Sequence, residues 1–551
     1  MKRDRLLIIG GILIIALLTI ARIRMVNALP DQGYFGKYSM TADQILAGKI
    51  PRQRLLDFSP LYLWFVVALR AMHIDFRAVQ IVLVSVAAVL VAIAARRFGT
   101  IAVMAAPILL LGSRAALVCA TDLEPETLIL VFNSAALACL GLEVSGSRGL
   151  DGDALRDRET ARLRYLSGLF LGLSATCRPV AILAAIGLAI ACRSWRIIAG
   201  AIVPITVLLI VNYSLTREFA LMDPGTVFYE GMNPNATGYE GVQPRIVNDL
   251  ERQSSDPDYL HVAYRIVAAR ALGHPVTRAE SNRYWTGKAF AFMQTYPMAA
   301  LRLTARKFYF AVHSYDAYDL VTMARKNFLL APRLFIPFGA MVALAIAAIL
   351  LRSRGIAPLV VFTCAAAVPL VIFYVTARQR NALLPPLVVL AAAGIAEIAV
   401  WRRAPSPAAE RPRAAAPTLA VAILISILLG IDGPPQREDA AGWLGVRNKF
   451  DQAIALEQGG RWGEAEALLQ QLEADGYRPI RENRAVSSIA YYRALAAMHL
   501  GKPKGVVLQF LERAEKEAPG NEHVLALRGD KQLLFKLHDP MTAQRALSGG
   551  M

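Results

Sequence analysis

The chain is a succession of apolar runs separated by short polar breaks. Eleven such runs stand out, at residues 6–22, 78–95, 100–113, 126–144, 165–177, 179–192, 197–213, 327–351, 356–376, 382–400 and 417–432. A bilayer core requires about 20 apolar residues per helical span. Inside it, a helix satisfies every backbone polar group within its own segment. The pattern therefore predicts an all-α, polytopic membrane protein of about eleven transmembrane helices. The first run follows the basic start MKRDR and has no small-residue cleavage site behind it, so it reads as a retained span. The runs on either side of Arg178 are short and predict a broken or tilted hairpin.

The segment 60–74, PLYLWFVVALRAMHI, is apolar but short and carries Arg70. If it does not span, a chain starting in the cytoplasm places five basic groupings on the inner side. These are Arg96–Arg97, the arginine-rich 148–164 loop, Arg193 with Arg196, Arg352 with Arg354, and the 402–413 cluster. If it does span, all of them fall outside, against the positive-inside bias. The segment is therefore expected to be an interfacial helix on the outer face. Three extracytoplasmic regions follow: 23–77, 214–326 and 433–551.

Beyond residue 432 the pattern becomes helical and charged, and a repeat emerges. Ala453, Leu456, Gly460, Trp462, Ala465, Leu469 and Leu472 are echoed by Ala494, Ala497, Gly501, Val506, Phe510 and Ala514. A weaker third unit (Leu527, Leu534, Asp539, Ala543, Leu547) has the place of a cap. Stacked helical pairs of this kind bury a core that one pair cannot. The spacing resembles a tetratricopeptide repeat, with a generic helical hairpin bundle as the competing reading. Either way, 433–551 is expected to be a small extracytoplasmic interaction or spacer domain, set apart from a membrane domain covering 1–432.

Composition narrows the classes further. The 551 residues are 56 % hydrophobic and only 19 % charged, with mean hydropathy +0.42. Several soluble domains, a disordered chain and a soluble nucleic-acid binder are all excluded. The net charge of +18 belongs almost wholly to the membrane part, as orientation requires, and calls for no anionic partner. All five cysteines lie in apolar stretches and read as small core residues. The histidines are scattered, and there is no Walker loop or dinucleotide fingerprint.

Candidate chemistry gathers on the outer side of this map. Asp31 lies just beyond the first span, where a carboxylate is costly without a partner or a task. Glu124 and Glu126 flank Pro125, and Arg178, Arg378 and Arg380 fall at the same boundary. Structural readings compete. The glutamates could cap the helix that follows, Arg178 could snorkel to headgroups, and Tyr34, Tyr38, Tyr62 and Trp64 could be interfacial belt residues. The triplets Asn212-Tyr213-Ser214 and Asn235-Ala236-Thr237 match a glycosylation acceptor pattern that often arises by chance.

The arrangement resembles the GT-C superfamily of polyprenyl-phosphate-sugar-dependent glycosyltransferases, the branch of protein mannosyltransferases and the lipid A aminoarabinose transferase. The motifs run in order over about residues 1–430. They comprise Asp31, a helix carrying Ala42 and ending at Gly48, the Pro60-Leu61-Tyr62 start and Thr121 to Glu126 as an acidic-proline turn. Gly168 to Gly172 through Arg178-Pro179, and Tyr374 to Arg380 ahead of Pro385-Pro386, complete the set. Phe228 to Gly238 resembles an F-Y-x-G-N-N-P segment, with Glu230 and Met232 departing from it.

The resemblance implies transfer of a sugar, with inversion, from a polyprenyl-phosphate donor to a hydroxyl of a lipid, glycan or protein acceptor at the outer face of a bacterial inner membrane. Asp31 would be the base and Glu124 a second carboxylate that positions the acceptor or shares a divalent cation with Asp31; otherwise no cofactor is implied. Arg178, Arg378, Arg380, Tyr34, Tyr62 and Asn233 would contact substrate. The tetratricopeptide-like region would recruit the acceptor or a protein partner. Two rivals stand beside this reading: an O-antigen ligase or polysaccharide polymerase using a diphosphate-linked glycan, and a non-enzymatic membrane-anchored scaffold. A transporter would need more ionisable groups within the spans.

Overall fold

A computed structural model describes residues 2–28, 37–49, 55, 58–146, 153–217, 224–254, 260–316, 330, 335–351, 353–403, parts of 417–429, 449–475 except 451, and 488–548. Two candidate site residues, Asp31 and Tyr34, lie outside the described residues. In chain order the helices begin with α1 (Lys2–Ala28), α2 (Lys37–Leu46), α3 (Pro60–Ala71), α4 (Phe76–Ala95), α5 (Thr100–Leu111), α6 (Arg114–Cys119), α7 (Glu126–Gly146), α8 (Asp153–Cys177), α9 (Ile182–Ala191) and α10 (Trp195–Thr216). Then come α11 (Pro224–Gly231), α12 (Arg245–Gln253), α13 (Leu260–Leu272), α14 (Arg278–Thr295), α15 (Pro297–Val312), α16 (Phe338–Leu350), α17 (Ala357–Ile372) and α18 (Leu384–Arg403). The C-terminal part adds α19 (Trp462–Ala474), α20 (Ile489–His499), α21 (Lys504–Glu517), α22 (Glu522–Arg528), α23 (Lys531–Leu537) and α24 (Pro540–Leu547). The fold is all-helical, with no extended strand among the described residues.

The chain forms two compact units. The first comprises 1–222, 308–371 and 375–431; the second comprises 223–307, 372–374 and 432–551. Among the described residues of the first unit, three helical segments are long and apolar enough to cross a membrane: Phe76–Phe98, Glu126–Glu143 and Trp195–Thr216. Six shorter apolar helices accompany them, among them α3, α5, α16 and α17. One expectation changes: 165–177 is the second half of the single helix α8, whose first half is charged. Only the stretch beyond Arg178 remains short, as a 3-10 turn at Pro179–Ala181 leading into α9.

Small residues set the packing of this bundle. A Cβ on Gly168 would collide with the Ile197 carbonyl, one on Gly172 with the Ala201 carbonyl, and one on Gly200 with the Tyr165 carbonyl. The G-x-x-x-G of α8 is thus the seam along which α8 and α10 touch backbone to backbone, the close approach that small residues allow in membrane helices. Gly168→Leu is expected to separate the two helices and cost several kcal/mol. Wild-type melting and monodispersity of this variant in detergent would refute the packing account.

The two ends of α7 mark the bundle's polar limits. Glu126 opens the helix, and Glu143 near its other end pairs with Arg164 of α8 at 2.6 Å. Seventeen residues at 1.5 Å each separate the two glutamates by about 25 Å, close to a hydrocarbon core of about 30 Å. Near the Glu126 end, the α5 C-terminus is capped by buried Arg22, which donates to the Leu111 and Ser113 carbonyls at 2.9 and 2.8 Å.

In the second unit the C-terminal helices and the 223–307 region share one core. Tyr229, Tyr264 and Trp285 pack in the same cluster as Leu525, Leu534, Leu537 and Ala543. Lys288 donates to the carbonyls of Phe535, Lys536 and His538, capping α23. Asn235 is held on both sides of its amide: it donates to Glu522 at 2.8 Å and accepts from Asn521 at 2.9 Å. This occupies the asparagine of one acceptor-like triplet, while Asn212 of the other is buried in α10.

The repeat glycines have a conformational role. Gly460 and Gly501 adopt φ +74° and +68°, and the following residues, Arg461 and Lys502, donate back to Leu456 and Ala497 at 2.8 and 2.9 Å. Each glycine closes a helix in the left-handed conformation that residues with a Cβ resist.

Beside the first of these turns, Glu457 is buried, and neither of its carboxylate oxygens has a hydrogen-bond partner among the described residues. Burial, reinforced by the nearby charge of Glu466, pushes its carboxyl up to about 8 from the ordinary 4.5. Between those two values the folded form binds more protons than the unfolded one, so stability is present at low pH and falls as pH rises through the window. Amide protection of 452–475, corrected for intrinsic exchange, is expected to drop between pH 6 and 8. Glu457→Gln should abolish that dependence and gain on the order of 2 kcal/mol at pH 8; equal protection at both pH values in the wild type would contradict it.

Candidate active site

Four charged side chains from three separate segments meet at one end of the first unit. Glu126 occupies the first turn of α7, where the helix dipole and open N–H groups favour a carboxylate. Glu124 sits two residues earlier in a tight turn, its N–H donating to the Asp122 carbonyl at 3.0 Å. Arg178 follows the end of α8 in extended conformation, φ −142° and ψ 112°, as the residue before a proline must. Arg378 immediately precedes the 3-10 turn Gln379–Ala382.

Among the described residues these groups form a connected set. Arg378 donates to Glu124 at 2.9 Å and stands 3.9 Å from Glu126, and Glu126 also pairs with Arg178. The carboxylates are the more buried partners, with side-chain exposures of 7 % for Glu124 and 2 % for Glu126, against 14 % for Arg378 and 22 % for Arg178. The guanidiniums therefore form the accessible rim above carboxylates that hold them. Of the five N–H donors of a guanidinium, Glu126 engages one on Arg178. An entering anion would find preorganised positive charge here.

A buried polar bracket fixes both sides of the cluster to α3. Tyr62, fully buried, donates to Gln80 at 3.0 Å, and Gln80 donates in turn to the Ala120 and Asp122 carbonyls at 3.1 and 2.8 Å, just ahead of Glu124. The Ser59 hydroxyl donates to the carbonyl of Cys177, which precedes Arg178. Tyr38 of α2 accepts from the Ser59 N–H and packs edge-on against the Tyr62 ring. Tyr62 thus has its hydroxyl and ring engaged by the protein.

Arg380 and Asn233 have partners of their own. Arg380, 2 % exposed, donates to Asp316 at 2.6 Å and to the His313 and Tyr315 carbonyls, with its guanidinium 4.5 Å from the Phe338 ring centre. Arg114 holds the other oxygen of Asp316 at 3.1 Å. Asn233 belongs to the second unit, where its amide donates to the Tyr229, Glu230 and Val242 carbonyls and its oxygen accepts from Asn235 N–H. Both side chains tie loops together.

Sequence reasoning did not assign roles to Gln80, Asp316 or Arg114, and it placed Glu126 in the acidic-proline turn, with helix capping as the competing reading, without giving it a partner. Gln80 had a visible signal, a polar residue near the start of an apolar run. Among the described residues no group of three His, Cys, Asp or Glu side chains is placed to hold a metal ion, and Glu124 is engaged by Arg378.

No family model matches the chain. No curated protein matches it either. Among solved structures, it is similar to the crystal structure of the Archaeoglobus fulgidus oligosaccharyltransferase tethered with an acceptor peptide containing the NVT sequon via a disulfide bond. The two are 12 % identical with a TM-score of 0.37, and the match covers 83 % of this chain and 58 % of that one.

Proposed function

We propose that the protein is an integral membrane glycosyltransferase of GT-C type that moves one sugar from a polyprenyl-phosphate donor to a hydroxyl of a lipid, glycan or protein on the extracytoplasmic side. The observation that carries this reading is the convergence of Glu124, Glu126, Arg178 and Arg378 at a single end of the bundle. A carboxylate at a membrane boundary is costly without a partner or a task, and a passive anchor needs none of these groups. In the proposed reaction Asp31 takes the acceptor's proton as its oxygen attacks the anomeric carbon. The bond from that carbon to the phosphate oxygen breaks, and negative charge grows on the departing polyprenyl phosphate. Arg178 and Arg378, the accessible pair, would stabilise that charge. Glu124 and Glu126 would keep both guanidiniums in place before the anion arrives, and Arg380 and Tyr62 would support the surrounding turns. The C-terminal helical hairpins are proposed to recruit the acceptor or a partner enzyme.

Purified protein in nanodiscs, offered a panel of polyprenyl-phosphate sugars with total membrane acceptors, is expected to transfer at least one sugar. Silence across the panel from folded protein, with transfer from a diphosphate-linked glycan, would favour the ligase reading instead.

A further inference from the structure

Lys307 lies on the buried face of α15, in register with Ala300, Leu303 and Phe310, and its side chain is fully buried. Among the described residues no carboxylate pairs with it; its ammonium donates to the Ile372 carbonyl at 3.1 Å. Burial pulls the group down to about 7 from the ordinary 10.5. A buried cation without a counter-charge weakens a fold, so packing alone does not account for a lysine at this position.

The carbonyl it holds opens a three-residue segment that other parts of the second unit grip as well. A Cβ on Gly231 would collide with the Phe373 carbonyl, and one on Gly241 would crowd the Tyr374 ring and the Glu230 carboxylate. Phe228 packs edge-on against Phe373, and Glu230 accepts from Tyr264 of α13 at 2.9 Å. Ile372–Tyr374 thus belongs to the second unit, although Val371 before it and Val375 after it belong to the first. From there the chain has no slack before Arg378, four positions beyond Tyr374. Val375, Thr376 and Ala377 are at most 2 % exposed. The Thr376 hydroxyl accepts from the Gln379 N–H at 3.3 Å and its carbonyl from the Arg380 N–H at 3.1 Å. Close-packed segments transmit strain, so a shift of Ile372–Tyr374 moves Arg378.

We infer that Lys307 is a positioning residue for Arg378: it fixes Ile372–Tyr374 within the second unit, and that segment sets where the guanidinium stands against Glu124. The consequence for substrate rests on the proposed function, in which Arg378 meets the donor phosphate.

Lys307→Met in the full-length protein tests the inference, because methionine fills a similar length without the charge or the donor. In nanodiscs, the amides of 376–383 should exchange hydrogen at least fivefold faster than in wild type, while those of α4 and α20 keep their rates. Affinity for polyprenyl monophosphate, the proposed leaving group, should fall at least fivefold. In an Arg378→Ala background the same substitution should lower that affinity no further, because its route is already cut. If methionine is not tolerated, Lys307→Gln carries the same test, with a shorter reach to the carbonyl. Unchanged exchange at 376–383, acceleration spread equally over α4 and α20, or additive effects of the two substitutions would overturn the inference. Wild-type protein that does not bind polyprenyl monophosphate would instead refute the proposed function, and the exchange rates at 376–383 would still decide the role of Lys307.

Discussion

Asp31→Asn is expected to lower the turnover of sugar transfer by about 10²–10⁴-fold, the range that a positioned general base contributes. Asparagine keeps the size and polarity of the side chain and removes only its capacity to take a proton, so donor binding should change little. The loss should appear in kcat at saturating donor, with KM within a few-fold of wild type. Glu124→Gln should also impair transfer by a different route. It replaces the charged 2.9 Å partner of Arg378 with a neutral amide and so weakens the hold on the guanidinium. Its effect should fall more on KM for the donor, whose phosphate Arg378 is proposed to meet. Full turnover by folded Asp31→Asn protein would remove Asp31 from the mechanism.

Two arginines two positions apart should behave in opposite ways. Arg380→Ala deletes the clamp on Asp316 and on the His313 and Tyr315 carbonyls, leaving buried acceptors without their donor. Breaking a buried pair from one side typically costs about 3–5 kcal/mol, so this variant should melt far below wild type in nanodiscs. Arg378→Ala removes a more accessible side chain from a set in which Arg178 still faces Glu126. It should keep more of its stability and lose transfer. Wild-type melting of Arg380→Ala would contradict the structural role given to that residue.

Much of the helical layout was legible because the physics behind it is local. Apolar runs announced helices, the glycines at 460 and 501 announced left-handed turns, and Gly48 at φ +74° closes α2 where the motif places it. Prolines 125 and 179 marked the breaks that leave Glu124 and Arg178 outside regular helix. Long-range pairing was not legible. Glu126 reads as a dipole cap in isolation, and only the fold brings Arg178, 52 positions away, and Arg378 to it. Arg380 looked equivalent to Arg378 because a linear motif cannot show that a two-residue step on a 3-10 turn directs the second toward Asp316. The start of α8 was missed for a different reason. Hydropathy registers its apolar half alone, while a charged half is equally helical when only part of a helix is embedded. That the C-terminal hairpins share a core with 223–307 depends on residues such as Trp285 and Leu534, whose sequence neighbourhoods show no link.

The leaving group tests the central claim most directly. Mass spectrometry of the lipid fraction after transfer, with a stoichiometric count against the glycosylated acceptor, measures it. One polyprenyl monophosphate released per sugar transferred, in wild type and not in Asp31→Asn, is the expected result. Release of a polyprenyl diphosphate would contradict the account and make the protein a glycan ligase.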